Sequence, residues 1–216
     1  MKYLQERNDW FEIIKEYEKN KIVIIDNFYT EETCKFLKNK ILNYKDIDFN
    51  FKYKDGYWTK HYYPNSYYYI NEIVNELGKN FPDLKDKFFL GWIFFYDTIC
   101  KGTKIHADRS KYTLNSWITP DECIEDMTKN GLIVYPIKLP EKYRTIGGSE
   151  KNPWNQDIAD SIVKENNIKP IKIEYKYNRA VLFDGMFLHE TNQVHTKPGK
   201  ENQRMSFTLL FENLWK

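Results

Sequence analysis

Cysteine is scarce in this chain: Cys34, Cys100 and Cys123 are odd in number, widely spaced and form no CxxC pair. That argues against a disulfide framework or a thiolate zinc site and makes a reducing cytoplasm the expected setting. No apolar run approaches the ~20 residues a membrane-spanning helix needs. Residues 1–7 are charged and hold no apolar core of signal-peptide length. Charge of one sign is lacking too: 33 Lys and Arg face 31 Asp and Glu, for a net +2. A dedicated nucleic-acid binder shows a stronger basic excess, so nucleic acid is not the expected partner. Nothing repeats at solenoid periods. Histidine is limited to four positions, which makes each one worth placing.

What is present divides the chain in two. Its 216 residues suit one well-buried domain. Within it, 1–86 would form a helical support and substrate-loop region, and 87–216 a strand-rich core. Trp10, Ile13, Ile14 and Tyr17 recur at helical spacing and predict an amphipathic helix over 8–19. A β-branched strand over 21–26 follows. Thr30 is placed to cap a second helix whose stripe is Cys34, Leu37 and Ile41. A third helix would carry Ile70, Ile73, Val74 and Leu77, with Gly78 as its stop. Between them, 44–66 reads as a loop rich in Tyr, Trp and Lys.

From residue 87 strands are expected at 87–97, 102–108, 112–118, 131–136, 170–176, 179–184, 187–191 and 203–212. An excursion interrupts them, ending in a short helix capped by Asn152 with Trp154, Ile158 and Ile162 on its buried side. Eight short strands suit a jelly roll with the helices packed on one sheet. The last strand alternates Arg204, Ser206 and Thr208 with Met205, Phe207, Leu209 and Phe211, a polar face toward a cavity and an apolar face toward the helices.

The chemistry concentrates around Ile105-His106-Ala107-Asp108. On an extended strand His106 and Asp108 leave the same face, so they form two thirds of a two-His-one-carboxylate metal site. An HxD arises by chance in such a chain roughly one time in four, so the motif alone decides little. Of the other histidines, His61 lies in the Tyr-rich loop and His195 in a polar stretch. His189, after the strand at 180–183 and the turn Asp184-Gly185, is the preferred third ligand. Arg204 and Ser206 offer what a dicarboxylate needs, a bidentate guanidinium with a hydroxyl two residues on.

These pieces together resemble the 2-oxoglutarate- and Fe(II)-dependent dioxygenases. The likeness runs over about 88–212, through His106-Ala107-Asp108, Asn115-Ser116-Trp117-Ile118-Thr119-Pro120, Asn178-Arg179-Ala180-Val181-Leu182-Phe183, Leu188-His189-Glu190-Thr191 and Arg204-Met205-Ser206-Phe207-Thr208. Ile24-Ile25-Asp26-Asn27-Phe28 resembles the N-terminal part of phytanoyl-CoA-hydroxylase-like and prolyl-hydroxylase-like members. The resemblance implies a mainly β, α+β double-stranded β-helix in which His106, Asp108 and His189 bind iron. Arg204, assisted by Ser206, would hold the distal carboxylate of 2-oxoglutarate, and Tyr96 and Asn115 would contribute to the same pocket. O2 would be the second co-substrate, with succinate and CO2 released as a substrate C–H bond is hydroxylated. Asp108 stands where related halogenases carry a small residue, which favours hydroxylation. Leu210 stands where the nucleic-acid demethylase branch carries a second Arg.

Substrate recognition would fall to residues 51–69 (Tyr53, Tyr57, Trp58, Lys60, His61, Tyr62), to the 137–153 excursion with Arg144, and to Arg109. Either arginine could meet an anionic group, although a solvated surface charge is the plainer role for both. A small metabolite or amino-acid-like substrate is favoured. Two alternatives stay open: a peptide side chain lying along the Tyr-rich loop, or a jelly-roll binding protein without catalysis. Oligomeric state is not legible in the sequence.

Overall fold

The computed structural model describes residues 1–43, 51–108, 110–140 and 156–214. In chain order the elements are α1 (Trp10–Asn20), β1 (Ile22–Ile25), α2 (Glu31–Leu42), β2 (Phe51–Tyr53), β3 (Tyr57–Tyr62), α3 (Tyr68–Asn80), β4 (Phe88–Tyr96), β5 (Ile99–Cys100), β6 (Ser110–Trp117) and β7 (Leu132–Lys138). After them come α4 (Gln156–Glu165), β8 (Ile171–Ile173), β9 (Ala180–Asp184), β10 (Phe187–Thr191), β11 (Val194–His195) and β12 (Met205–Asn213). Arg109, Arg144, Asn152 and Trp154 lie outside the described residues.

The strands form a seven-stranded sheet ordered β1-β9-β6-β12-β4-β3-β2, a three-stranded sheet β10-β7-β8, and the pair β11-β5. Every pairing between them is antiparallel. Strand alternation separates the faces. Met205, Phe207, Leu209 and Phe211 join Ile13, Leu37, Ile70, Ile73 and Leu77 in the core beneath α1–α3. Trp117, Val181 and Phe183 of the large sheet meet Leu132, Val134 and Ile173 of the small sheet between the two layers. Helix α4 covers the outer side of the small sheet through Ala159 and Ile162, packed with Leu139 and Leu188. The fold is a double-stranded β-helix, as the resemblance implied, and α1–α3 cover the apolar face that the last strand's alternation assigned to them.

Three expectations are corrected. The 44–66 loop contains a hairpin, β2–β3, turning at Gly56, whose φ is +91°. β3 then pairs with β4 from Tyr57↔Tyr96 to Tyr62↔Gly91, so the large sheet extends two strands further than the local pattern suggested. The 102–108 segment is not a strand. Its ladder reduces to one bridge between His106 and His189, because Gly102 takes a φ of +76° and presses against the Thr191 carbonyl. Gly78 does not stop α3, which runs on to Asn80; it is buried where an added Cβ would stand 3.1 Å from the Lys85 Cα. Thr30 does cap α2, its hydroxyl accepting from the Thr33 N–H.

One side chain ties the N-terminal segment to the sheet. Asn178, buried with φ +57°, accepts from the Tyr29 N–H at 2.8 Å and donates to the Tyr29 carbonyl at 2.9 Å. Its own backbone bonds Phe28 and Trp117. Asn178→Ala strands two buried backbone groups and places a Cβ-bearing residue without a local hydrogen bond in the left-handed region. The expected loss is about 3 kcal/mol, read from urea unfolding; a loss below about 1 kcal/mol would show that the clamp is unimportant.

Candidate metal and co-substrate site

The three predicted ligands come from different places. His189 lies on β10, directly paired with Val134 of β7. His106 is held against it by reciprocal backbone bonds of 2.9 and 2.7 Å. Asp108 is fixed by its own N–H, which donates to the Gly185 carbonyl at 2.7 Å. That close approach explains the glycine: a Cβ at 185 would lie 2.2 Å from the Ser110 hydroxyl. So His106 and Asp108 share a face because three backbone bonds pin them, and not because a strand alternates.

The side chains converge. Ligand atoms of His106, Asp108 and His189 all lie within 4.8 Å of one another. Two atoms bonded to one ion at ~2.1 Å stand at most ~4.2 Å apart, so an ion would close the triangle slightly. Each imidazole is oriented by a backbone carbonyl, Nδ1 of His106 by Lys104 at 2.6 Å and Nδ1 of His189 by Phe187 at 2.9 Å. Nδ1 then carries the proton and Nε2 is left as the donor atom. Burial, reinforced by the neighbouring His106, pushes His189 down to about 4, so it stays neutral at physiological pH. Asp108 is buried; its Oδ2 accepts from the Thr113 hydroxyl at 2.8 Å, while its Oδ1 has no hydrogen-bond partner. A buried carboxylate oxygen without a donor is costly, and a cation is the natural complement. The N2O donor set suits a divalent transition metal.

Arg204 is completely buried. Its Nε donates to the Asn130 carbonyl at 2.7 Å and its Nη1 reaches the Ser206 hydroxyl at 3.4 Å. Nη2 is buried with no partner. Aromatic faces enclose the guanidinium: Tyr96 at 4.5 Å, Trp117 at 5.6 Å and Tyr175 at 6.0 Å. A buried cation with one terminal nitrogen and its two N–H groups unpartnered, and no described carboxylate beside it, is suited to an anion from outside.

A chain of hydroxyls connects this cage to the ligand strand. Thr103 accepts the Thr191 N–H at 2.9 Å and donates to the Thr191 hydroxyl at 3.0 Å. The Thr191 hydroxyl also lies 3.2 Å from that of Tyr96, and the two share a hydrogen bond. Burial raises the Tyr96 phenol, which keeps its proton. Tyr96, Thr103 and Thr191 line one cavity with His106, Asp108, His189, Trp92, Phe94, Asn115, Leu132 and Thr208. Arg204 and Ser206 are not among the residues that line this cavity; Tyr96, which does line it, lies 4.5 Å from the guanidinium.

Asn115 faces the cavity and donates to Thr208 at 3.3 Å. Since Thr208 is four residues from Arg204, Asn115 is roughly 13 Å along the sheet from the arginine row. Thr103, Thr113 and Thr191 were not anticipated; only the step of two from His189 to Thr191 hinted at one of them. Of the Tyr-rich segment, Tyr57 and His61 turn toward Tyr96 and Trp92. Trp58 and Tyr62 turn the other way into the helix-side core. His195 is on β11, away from the metal ligands, with its backbone tied to Asn130.

No family model and no curated protein matches this chain. Solved structures do. The non-heme alpha ketoglutarate dependent carbocyclase SnoK from nogalamycin biosynthesis superposes with a TM-score of 0.64 at 11% identity, covering 93% of this chain and 83% of the other. HygX from Streptomyces hygroscopicus, with nickel and 2-oxoglutarate bound, gives 0.59 at 9%, covering 93% and 86%. A Pseudomonas putida prolyl-4-hydroxylase gives 0.57 at 10%, covering 96% of each chain. At these identities the likeness is one of fold, and the fold is that of the 2-oxoglutarate oxygenases.

Replacing Thr113 by Val keeps the volume and removes the donor that orients Asp108. Titration with Co(II), followed by its visible absorption, is expected to show about tenfold weaker binding and none in Asp108→Ala. Equal affinity in all three proteins would mean the cluster is not a metal site.

Proposed function

We propose that this chain is an Fe(II)- and 2-oxoglutarate-dependent oxygenase that hydroxylates a small molecule and releases succinate and CO2. The observation that carries this reading is the meeting, across one cavity wall, of an N2O ligand triad and a buried arginine with an unsatisfied N–H. His106, Asp108 and His189 would hold the iron. Bound iron would supply activation of O2, coupled to decarboxylation of the keto acid. Arg204 Nη2 and the Tyr96 hydroxyl would take the distal carboxylate, with Ser206 beside them. The two-sheet wall keeps water from the reacting atoms.

Residues 1–86 support and 87–216 carry the site, working as one domain; the helix-side core, which draws on both parts, supports that division. Three free thiols accord with a cytoplasmic setting, and among the described residues no helix is long and apolar enough to cross a membrane. Of the structural neighbours, HygX has also been solved with hygromycin B and an EctD with 5-hydroxyectoine, both small molecules. A peptide substrate, suggested by the prolyl-4-hydroxylase, would need a continuous aromatic groove along β3. Trp58 and Tyr62 are turned into the core instead, which favours the small-molecule reading.

Slow turnover of 2-oxoglutarate to succinate without added substrate tests the reaction class, and binding of the keto acid by the Zn(II)-loaded protein tests the anchor. Arg204→Lys is expected to weaken 2-oxoglutarate at least 100-fold, since the ammonium cannot reproduce the fork. Thr191→Val, by removing the hydroxyl that positions the Tyr96 phenol, is expected to weaken it about tenfold with metal affinity unchanged. Unaltered keto-acid affinity in both variants would contradict the assignment.

A further inference from the structure

Building on the oxygenase reading, we infer that Asn130 is the positioning residue of the co-substrate anchor: it holds Arg204 by Nε, so that a carboxylate is received by the two terminal nitrogens alone. Arg204 immediately precedes β12, and a guanidinium on a long stem has many rotamers. Something must fix which of its nitrogens is free for a ligand. The Asn130 carbonyl, 2.7 Å from Nε, does so. A carboxylate can pair with a guanidinium along the Nε–Nη2 edge or across the Nη1–Nη2 end. With Nε taken, the first edge is closed. The end remains, where Nη1 is held only by the Ser206 hydroxyl at 3.4 Å and Nη2 has no partner.

The carbonyl is available because the sheet does not use it. Asn130 stands two residues before β7, and its N–H donates to the Gln193 carbonyl at 2.7 Å. The return bond is not made, since the Gln193 N–H donates instead to the Asn192 side chain at 2.8 Å. A φ of +66° turns the chain here, a conformation that asparagine adopts more readily than most residues. The amide then locks the turn. Completely buried, it donates to the Asp126 carbonyl at 3.0 Å and the His195 carbonyl at 3.1 Å, and accepts from the His195 N–H at 2.9 Å. His195 belongs to β11, whose Val194 packs with Tyr57, Phe94 and Tyr96. Tyr96 is the aromatic face 4.5 Å from the guanidinium. One residue thus fixes both the Nε of the anchor and the strand behind its nearest ring, the kind of support a binding group needs to stay aimed. None of its bonds is to His106, Asp108 or His189, so its effect on the keto acid is separable from metal binding.

Calorimetric titration of the Zn(II)-loaded protein with 2-oxoglutarate and with 2-oxopentanoate, the same carbon chain without the distal carboxylate, tests this. Asn130→Gly leaves the backbone free to keep a positive φ and removes only the amide. Its preference for the diacid over the monoacid is expected to fall about tenfold, with Zn(II) and monoacid affinity within about twofold of wild type. Thr30→Ala, which uncaps α2 and touches none of these groups, is expected to lower the urea midpoint and keep the preference. An undiminished preference in Asn130→Gly, or an equal loss in Thr30→Ala, would overturn the positioning role. Should Asn130→Gly not fold, the wild-type protein carries the test through the NMR signal of the Arg204 Nε–H, assigned by its loss in Arg204→Lys. That proton is expected to exchange slowly with water before any keto acid is added. On adding 2-oxoglutarate its signal is expected to move less than those of the Nη protons. Fast exchange, or a larger shift at Nε than at Nη, would overturn the inference. A wild-type protein that binds neither acid, or both alike, would overturn the oxygenase reading instead; a slow Nε–H in the same sample would still show Asn130 holding the arginine.

Discussion

The structure depends on a cation placed where water cannot reach it. Arg204 has no exposed surface, and an ion in such a place costs several kcal/mol unless its hydrogen bonds are met. The chain meets two of its five N–H donors internally, with the Asn130 carbonyl and the Ser206 hydroxyl, and surrounds the guanidinium with three aromatic faces. Asn130 is itself held by its side chain, which donates to two carbonyls and accepts from the His195 N–H. One guanidinium nitrogen is left over. The paired anomaly is Asp108 Oδ1, an anion's oxygen without a donor. A buried positive group and a buried negative group, each incomplete and kept apart, are the signature of a site finished by a metal ion and an anion.

The architecture follows from that requirement. A cavity between two sheets gives inward side chains on both walls, so ligands can come from β10 while the anchor comes from β12. The helices then serve to cover the apolar reverse of the large sheet, and α4 does the same for the small one. Asn178 and the bridge between His106 and His189 are where loops are fastened to this frame. Both use short backbone bonds, because loop geometry has to be as exact as strand geometry where the ligands are held.

Much of this was legible in the residues. Alternation in 204–211 separated the cavity face from the core face correctly, since the polar and apolar positions of a strand with two different environments cannot be exchanged. The Thr30 cap and the helical stripes were also readable, because they rest on contacts within one turn. The hairpin β2–β3 was not. Its partner β4 lies some thirty residues further on, and only that pairing makes a Tyr- and Lys-rich segment a strand. The HxD segment misled for the converse reason. Its residue types suit a strand, but its neighbours allow one bridge only. The threonines around the site left little trace, as a hydroxyl that completes a relay looks like any other until both its partners are placed.

The central claim is that the triad and the buried arginine form one site, able to hold iron and 2-oxoglutarate together. Its most direct measurement is the anaerobic visible spectrum of the protein with Fe(II) before and after 2-oxoglutarate is added. The account predicts a weak metal-to-ligand charge-transfer band that appears only with both present and vanishes in Asp108→Ala and in His189→Ala. A wild-type spectrum unchanged by saturating 2-oxoglutarate, with Fe(II) bound, would contradict it.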